Sequence, residues 1–414
     1  MIGPMSDLFD ATPRLPASRA ILRWLPIVFL GGAMGACGTG ESSDRDSNSA
    51  PSQPTVLTPG PESFVRIVDC FSAGDGEAVA TCQDEFVRRY ARDTGRTSLQ
   101  VLDDLEAARS LDSRLEAACH PMSHAVGRWV FETDGTVVGA FDKCNEACHS
   151  GCYHGVMERV FEGETDHPTL EEINSKMANI CDPSMFPTPS LEFQCLHGIG
   201  HAVMYSLGYN LKLALETCNL LVNPGGPSSC QSAVFMENIA AAIPELRDLK
   251  PDDPHYPCND VDAKYARVCY GMQTSVMFGY LGMSVEQVAD ACLTGAGPYA
   301  DTCISSLGRD LSSYARVGQS ELLRHPCEDL AGEYASSCVW GGIAALMDNT
   351  WDGSFAIPFC NYLNGDELRA TCYYQTHWHL TNQYLFDDAA WLAQCDAYAG
   401  EHMDVCKALV PATP

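Results

Sequence analysis

Seven of the chain's 12 histidines fall between His120 and His201, and their spacing points to metal chemistry. The segment CHPMSHAVG sets His120 and His124 four apart, CYHGVME sets His154 and Glu158 four apart, and CLHGIGHAVM sets His197 and His201 four apart. On a helix, residues i and i+4 share one face, one turn apart, and two imidazoles so placed reach one metal ion. The pairs also share a phase: each begins one or two residues after a cysteine. In a stacked repeat array, equal phase means equal position on neighbouring helices. The six side chains should therefore line one patch. His149 is a seventh candidate, because a Cys119–Cys148 bridge would bring it beside His120. Gly155 and Gly198, directly after His154 and His197, would let the helix backbones approach closely.

Imidazole with carboxylate suits zinc, copper or iron, and the lack of a dense acidic cage argues against calcium. Six or seven candidates exceed a four-coordinate site. They predict a dinuclear centre, or a set of ligands together with the partners that orient them. Glu158 is a ligand on this reading, or a catalytic general base if the histidines alone hold the metal. Glu237, at a similar phase in the next repeat, reads as a solvated acid. His377 and His379 flank Trp378 two apart, so they share no helix face and read as packing and surface. Cys144, Cys148 and Cys152 are spaced by four beside His149. Outside the cytoplasm they read as disulfides rather than thiolate ligands, and their spacing departs from the C-x-x-C-H of haem attachment. No phosphate-binding glycine loop, nucleophile elbow or dinucleotide fingerprint is present.

The cysteines define the elements that must position these groups. Of 21 cysteines, 20 lie between Cys70 and Cys406, the even number a disulfide framework needs. Cys82, Cys119, Cys152, Cys195, Cys230, Cys269, Cys303, Cys338, Cys372 and Cys406 recur every 33 to 43 residues, a period that fits one helix–turn–helix unit. Each is followed by an apolar segment, often with glycine. A second class, Cys70, Cys144, Cys181, Cys218, Cys258, Cys292, Cys327, Cys360 and Cys395, mostly precedes the first by 11 or 12 residues. Several of these end a helical pattern, as in LKLALETC, and turn residues such as NPGG follow. No segment alternates with period two. The expected fold is all-α: an α/α repeat array, open solenoid or closed ring, of about ten disulfide-stapled helix–turn–helix units over residues 63–414, with the histidine cluster at 119–201.

Pairing across the short loops joins 70–82, 144–152, 181–195, 218–230, 258–269, 292–303, 327–338, 360–372 and 395–406 and leaves Cys119 with Cys148. Pairing across the longer intervals strands four cysteines. Parsimony favours the first scheme, although sequence alone does not fix connectivity. Each short bridge would contribute about 2–3 kcal/mol by restricting the unfolded chain.

The N-terminus reads as an export signal. Trp24 to Ala36 is apolar but too short to span a bilayer, which needs about 20 residues. It ends in Met34-Gly35-Ala36-Cys37, which resembles the lipobox of bacterial lipoproteins, with Met34 where leucine is usual. The resemblance implies cleavage of residues 1–36, diacylation of Cys37 and attachment to a membrane at the cell envelope, on the periplasmic or extracellular face. Residues 37–62, rich in Ser, Pro, Gly and acid, read as a disordered tether. The formal charge of −29 repels nucleic acid. Over roughly residues 64–410 the organisation resembles the tetratricopeptide-like arrays of disulfide-bridged helix pairs in secreted bacterial proteins, in architecture only. The function expected is an exported, lipid-anchored metal-binding protein, with a metal-dependent hydrolase or oxidoreductase as its enzymatic form. The alternative is a non-catalytic helical scaffold that binds an envelope protein or peptide partner.

Overall fold

Local chemistry starts many of the helices. Thr97, Thr169 and Ser284 each form a capping box, with Gln100, Glu172 and Gln287 respectively, satisfying amide groups that the first helical turn leaves open. Asp112, Thr136, Thr188, Asn210, Asp262 and Asp387 cap others through one side-chain oxygen. The resulting structure, a computed structural model, describes residues 57–72, 76–162, 169–241 and 244–410. The signal segment, Cys37, most of the tether and His167 lie outside the described residues. Leu57, the first described residue, is buried, and Pro61–Phe64 forms a helical turn.

The described residues form helices joined by turns and loops, with no strand among them. Ten helices carry the first class of cysteine, one each: α1 (Gly76–Thr94), α2 (Ser113–Asp134), α3 (Ala147–Phe161), α4 (Pro189–Ser206), α5 (Gly226–Ala240), α6 (Ala263–Tyr270), α7 (Ala300–Arg316), α8 (Glu333–Thr350), α9 (Asp366–Asn382) and α10 (Met403–Lys407). Each packs on the next. Shorter helices and turns between them carry the second class. All 20 cysteines of the array are bonded in the short-loop pattern, with Cys119–Cys148 joining α2 to the start of α3. Among the described residues, no helix is long and apolar enough to cross a membrane.

Three crossings are tighter than side chains allow; in one, α4 on α5, a Cβ on Gly200 would lie 2.1 Å from the Cys230 carbonyl oxygen. A Cβ on Gly127 would lie 2.0 Å from the Cys152 carbonyl oxygen, and one on Gly155 2.0 Å from that of His124. Glycine at both positions lets α2 and α3 touch backbone to backbone. Gly308 and Gly341 do the same for α7 and α8, where a Cβ would meet the Cys338 and Ser305 carbonyl oxygens at 1.8 Å. Gly198 meets the Met157 side chain instead.

The array also turns back on itself. Helix α8 packs against α3, with Trp351, just past α8, stacked on Tyr153 at 5.8 Å between ring centroids. Arg316 at the end of α7 reaches Glu106 at 3.0 Å, and the Ser190 amide donates to the Gln383 carbonyl at 3.2 Å. The eighth repeat is thereby a neighbour of the histidine-bearing third.

Candidate metal centre

Helices α2, α3 and α4 lie side by side and bring His120, His124, His154, His197 and His201 together. The rings of His120, His124, His154 and His201 are mutual neighbours, with centroids 4.6 to 6.1 Å apart. Four imidazoles round one tetrahedral ion, each nitrogen about 2.1 Å from it, would set their centroids about 5 Å apart. His197 attaches to one side, 4.9 Å from His154 and 5.0 Å from His201. Ligand atoms of His120, His124 and His154 lie within 4.8 Å of one another, and so do those of His154, His197 and His201.

Each ring is held from outside by an acceptor. His124 Nδ1–H donates to Glu158 Oε1 at 2.6 Å, and His201 Nδ1–H to Glu237 Oε1 at 2.7 Å. His120 Nδ1–H donates to the Cys148 carbonyl at 3.0 Å. His197 Nδ1–H donates to Ser232 Oγ at 2.9 Å, a hydroxyl whose own proton goes to the Ser229 carbonyl at 2.8 Å. His154 Nε2–H donates to Gln194 Oε1 at 2.9 Å. With the outer nitrogens protonated, the inner nitrogens, Nε2 of four rings and Nδ1 of His154, present lone pairs to one another. His154 Nδ1 and His120 Nε2 stand 3.3 Å apart, and the buried Nε2 atoms of His124 and His201 have no hydrogen-bond partner. Converging, unprotonated imidazole nitrogens with oriented outer faces could hold a cation. A carboxylate or carbonyl behind a ligating histidine is the usual way its tautomer is fixed.

Burial favours the neutral form of three of the rings. Burial pushes His120, His154 and His197 well below the ordinary imidazole value, and the neighbouring rings add to it. Burial alone would raise the Glu158 carboxyl, but His124 and Arg128 outweigh that and hold it below the usual carboxylate range. Arg128 Nη1–H donates to Glu158 Oε2 at 2.6 Å, and its other face pairs with Asp84 at 2.7 Å. Both Glu158 oxygens are thus engaged, one by His124 and one by Arg128.

His149 is not part of the cluster. Arg316 donates to its Nε2 at 3.0 Å, and the Asn349 amide lies 3.2 Å from its Nδ1. It sits in an unusual turn at the start of α3, where Cys148, His149 and Ser150 all have positive φ, at 54°, 55° and 60°. Left-handed geometry costs roughly 1–2 kcal/mol per non-glycine residue. The turn is held by the Cys119–Cys148 bridge, by the Cys148 amide donating to Glu106 Oε2 at 2.8 Å, and by Ser150 Oγ–H donating to Asp348 Oδ1 at 3.3 Å. It aims the Cys148 carbonyl at His120. A second group of metal-type side chains, Glu106 with Cys119 and Cys148, has its sulfurs tied up in that bridge. His377 and His379 pack against Trp391 and Trp340, at 5.0 and 4.9 Å.

Several groups at the centre carry no metal-like signal in the sequence: Gln194, Arg128, Ser232, Asp348 and the Cys148 carbonyl. Glu237 is bonded to His201 rather than solvated. A signal for the two glutamates exists, since each stands one repeat beyond the histidine it holds: His124 to Glu158 and His201 to Glu237.

No protein-family model, curated protein or solved structure matches the chain. The chemistry of the site is therefore read from its own geometry.

Proposed function

We propose that this chain is an exported metal-binding protein whose ion is held by His120, His124, His154, His197 and His201. The observation that carries the reading is the convergence of five imidazole nitrogens, each with its opposite nitrogen bonded to an acceptor. An all-nitrogen donor set suits zinc or copper, and iron less well. Glu158 orients His124 on this reading, rather than ligating the ion or acting as a base, because both its oxygens are occupied. Five imidazoles outnumber the positions round a tetrahedral ion, which favours binding over hydrolysis or redox catalysis at an open position.

Ten disulfides suit an oxidising compartment outside the cytoplasm. The lipobox-like end of the signal supports an anchor at Cys37, and Cys37→Ser should move the protein from the detergent phase to the aqueous phase on phase separation.

Metal analysis of tag-free protein exported to an oxidising compartment tests the site. Stoichiometric zinc or copper is expected, lost in a His154→Ala, His197→Ala double variant that still folds. Absence of stoichiometric metal, with zinc and copper affinity unchanged in that variant, would leave the helical scaffold as the better reading.

A further inference from the structure

Four of the five histidines face partners that fix their tautomers directly. The carboxylates of Glu158 and Glu237 and the Cys148 carbonyl can only accept, and the Ser232 hydroxyl has already given its proton to Ser229. His154 is different. Its outer nitrogen faces the amide of Gln194, and a primary amide offers an acceptor at one end and a donor at the other. Turned one way, Gln194 keeps the proton on His154 Nε2 and leaves Nδ1 free to bind a cation. Turned the other way, it would force the proton onto Nδ1, into the centre of the cluster.

The group that decides between these lies 154 residues away in sequence. Gln194 Nε2–H donates to Asp348 Oδ1 at 2.9 Å. The same oxygen accepts from Ser150. Burial raises the Asp348 carboxyl to about 6, so it is ionised at neutral pH and above. An ionised carboxylate has no proton to give, so it captures the amino end of Gln194 and directs the carbonyl end at His154. Asp348 belongs to α8 and reaches this place only because α8 packs against α3.

We propose that Asp348 is a positioning residue that sets the tautomer of His154 through Gln194, and so makes the Nδ1 lone pair available to a metal ion only when the eighth repeat has closed onto the third. The inference rests on the metal reading for its purpose, but the tautomer itself is observable without metal.

The test is a cycle of Asp348→Asn, Gln194→Glu and the double variant in the full array. The amide introduced by Asp348→Asn can present either of its ends, so Gln194 loses its direction, and cobalt(II) or zinc affinity should fall about tenfold or more. The carboxylate introduced by Gln194→Glu alone faces Asp348 as a like charge and should also weaken binding. In the double variant the new carboxylate accepts from His154 Nε2–H while the new amide donates to that carboxylate. This restores the original sense, and affinity should return to within about threefold of wild type. In parallel, nitrogen NMR of the metal-free proteins should show His154 protonated at Nε2 in wild type and in the double variant, and a mixture of tautomers in Asp348→Asn. An Asp348→Asn protein with the wild-type tautomer would overturn the proposal, as would a double variant no better than its parents. If the wild type binds no metal, the metal reading falls, and the NMR comparison alone still decides what Asp348 does.

Discussion

Glu237 and His149 show how differently a polar residue bonded to the cluster and one outside it contribute. Glu237 holds the outer nitrogen of His201 at 2.7 Å, and the Nε2 atom on the far side of that ring is buried without a partner. Glu237→Gln keeps the shape but replaces an obligate acceptor by an amide that can turn. A competition titration against a chromophoric chelator should show a loss of about 10- to 100-fold in metal affinity, with little change in the unfolding midpoint of the metal-free protein. His149 lies outside the cluster. Burial first, then the nearby Arg109 charge, pushes its pKa down to about 4. In the unfolded chain it returns to about 6.5. Between those values the unfolded state binds the extra proton, so the contribution to stability is fully present above pH 6.5 and is lost as pH falls toward 4. The full shift corresponds to roughly 3–4 kcal/mol, of which about 2–3 kcal/mol is lost by pH 4.5. Denaturant melts of metal-free protein at pH 7.5 and 4.5 should show that loss, and His149→Gln should flatten the dependence by a similar amount.

The helices set how finely the cluster is positioned. Gly155 lets the His124 backbone come close enough that a methyl group would overlap its carbonyl oxygen at 2.0 Å. Gly155→Ala must push α2 away from α3, carrying His120 and His124 off His154. Gly341→Ala imposes the same clash between α7 and α8, at 1.8 Å from the Ser305 carbonyl oxygen, away from the ligands. Both should cost about 3 kcal/mol or more, at or above the upper range for overpacking. Calorimetry should find the two similarly destabilised, while metal titration should find binding lost in Gly155→Ala and weakened far less in Gly341→Ala, which moves no ligand and reaches the cluster only through Asp348 on the same helix. The sequence showed the part of this arrangement that follows helical and repeat periodicity. His120 with His124 and His197 with His201 are visible because i and i+4 share a face, and the cysteine period places those faces on adjacent helices. Glu237 was visible in phase but not in role, because an exposed acid and a histidine-orienting acid look alike until the neighbouring ring is placed. Gln194 gave no signal, since its meaning depends on what stands at its far end. Asp348 could not be read at all: it reaches the site through the return of α8 onto α3, a long-range contact that no local pattern encodes.

At the scale of the molecule, two kinds of constraint are superposed. Nine disulfides close loops of 8 to 14 residues, within repeats, so each limits only its own helix–turn–helix unit. Cys119–Cys148, with a separation of 29, joins one repeat to the next and anchors the left-handed turn whose carbonyl holds His120. Chain-entropy reasoning assigns it about 3.6 kcal/mol, against about 2.8 kcal/mol for a separation of 11 such as that of Cys395–Cys406. On stability alone the two bridges are therefore nearly equivalent. They differ in what they hold. Replacing Cys395 and Cys406 by serine loosens the last repeat, which carries neither a ligand nor a group that orients one, so the unfolding free energy should fall by about 3 kcal/mol while metal affinity stays within error of wild type. Replacing Cys119 and Cys148 should cost a similar free energy and also release the Cys148 turn. His120 then loses the acceptor that fixes its tautomer, and affinity should fall at least about tenfold. Paired denaturant melts and metal titrations on the two double variants separate these effects. Equal affinities in both would mean that the Cys148 turn does not position His120, and that the cross-repeat bridge is one more staple in the array.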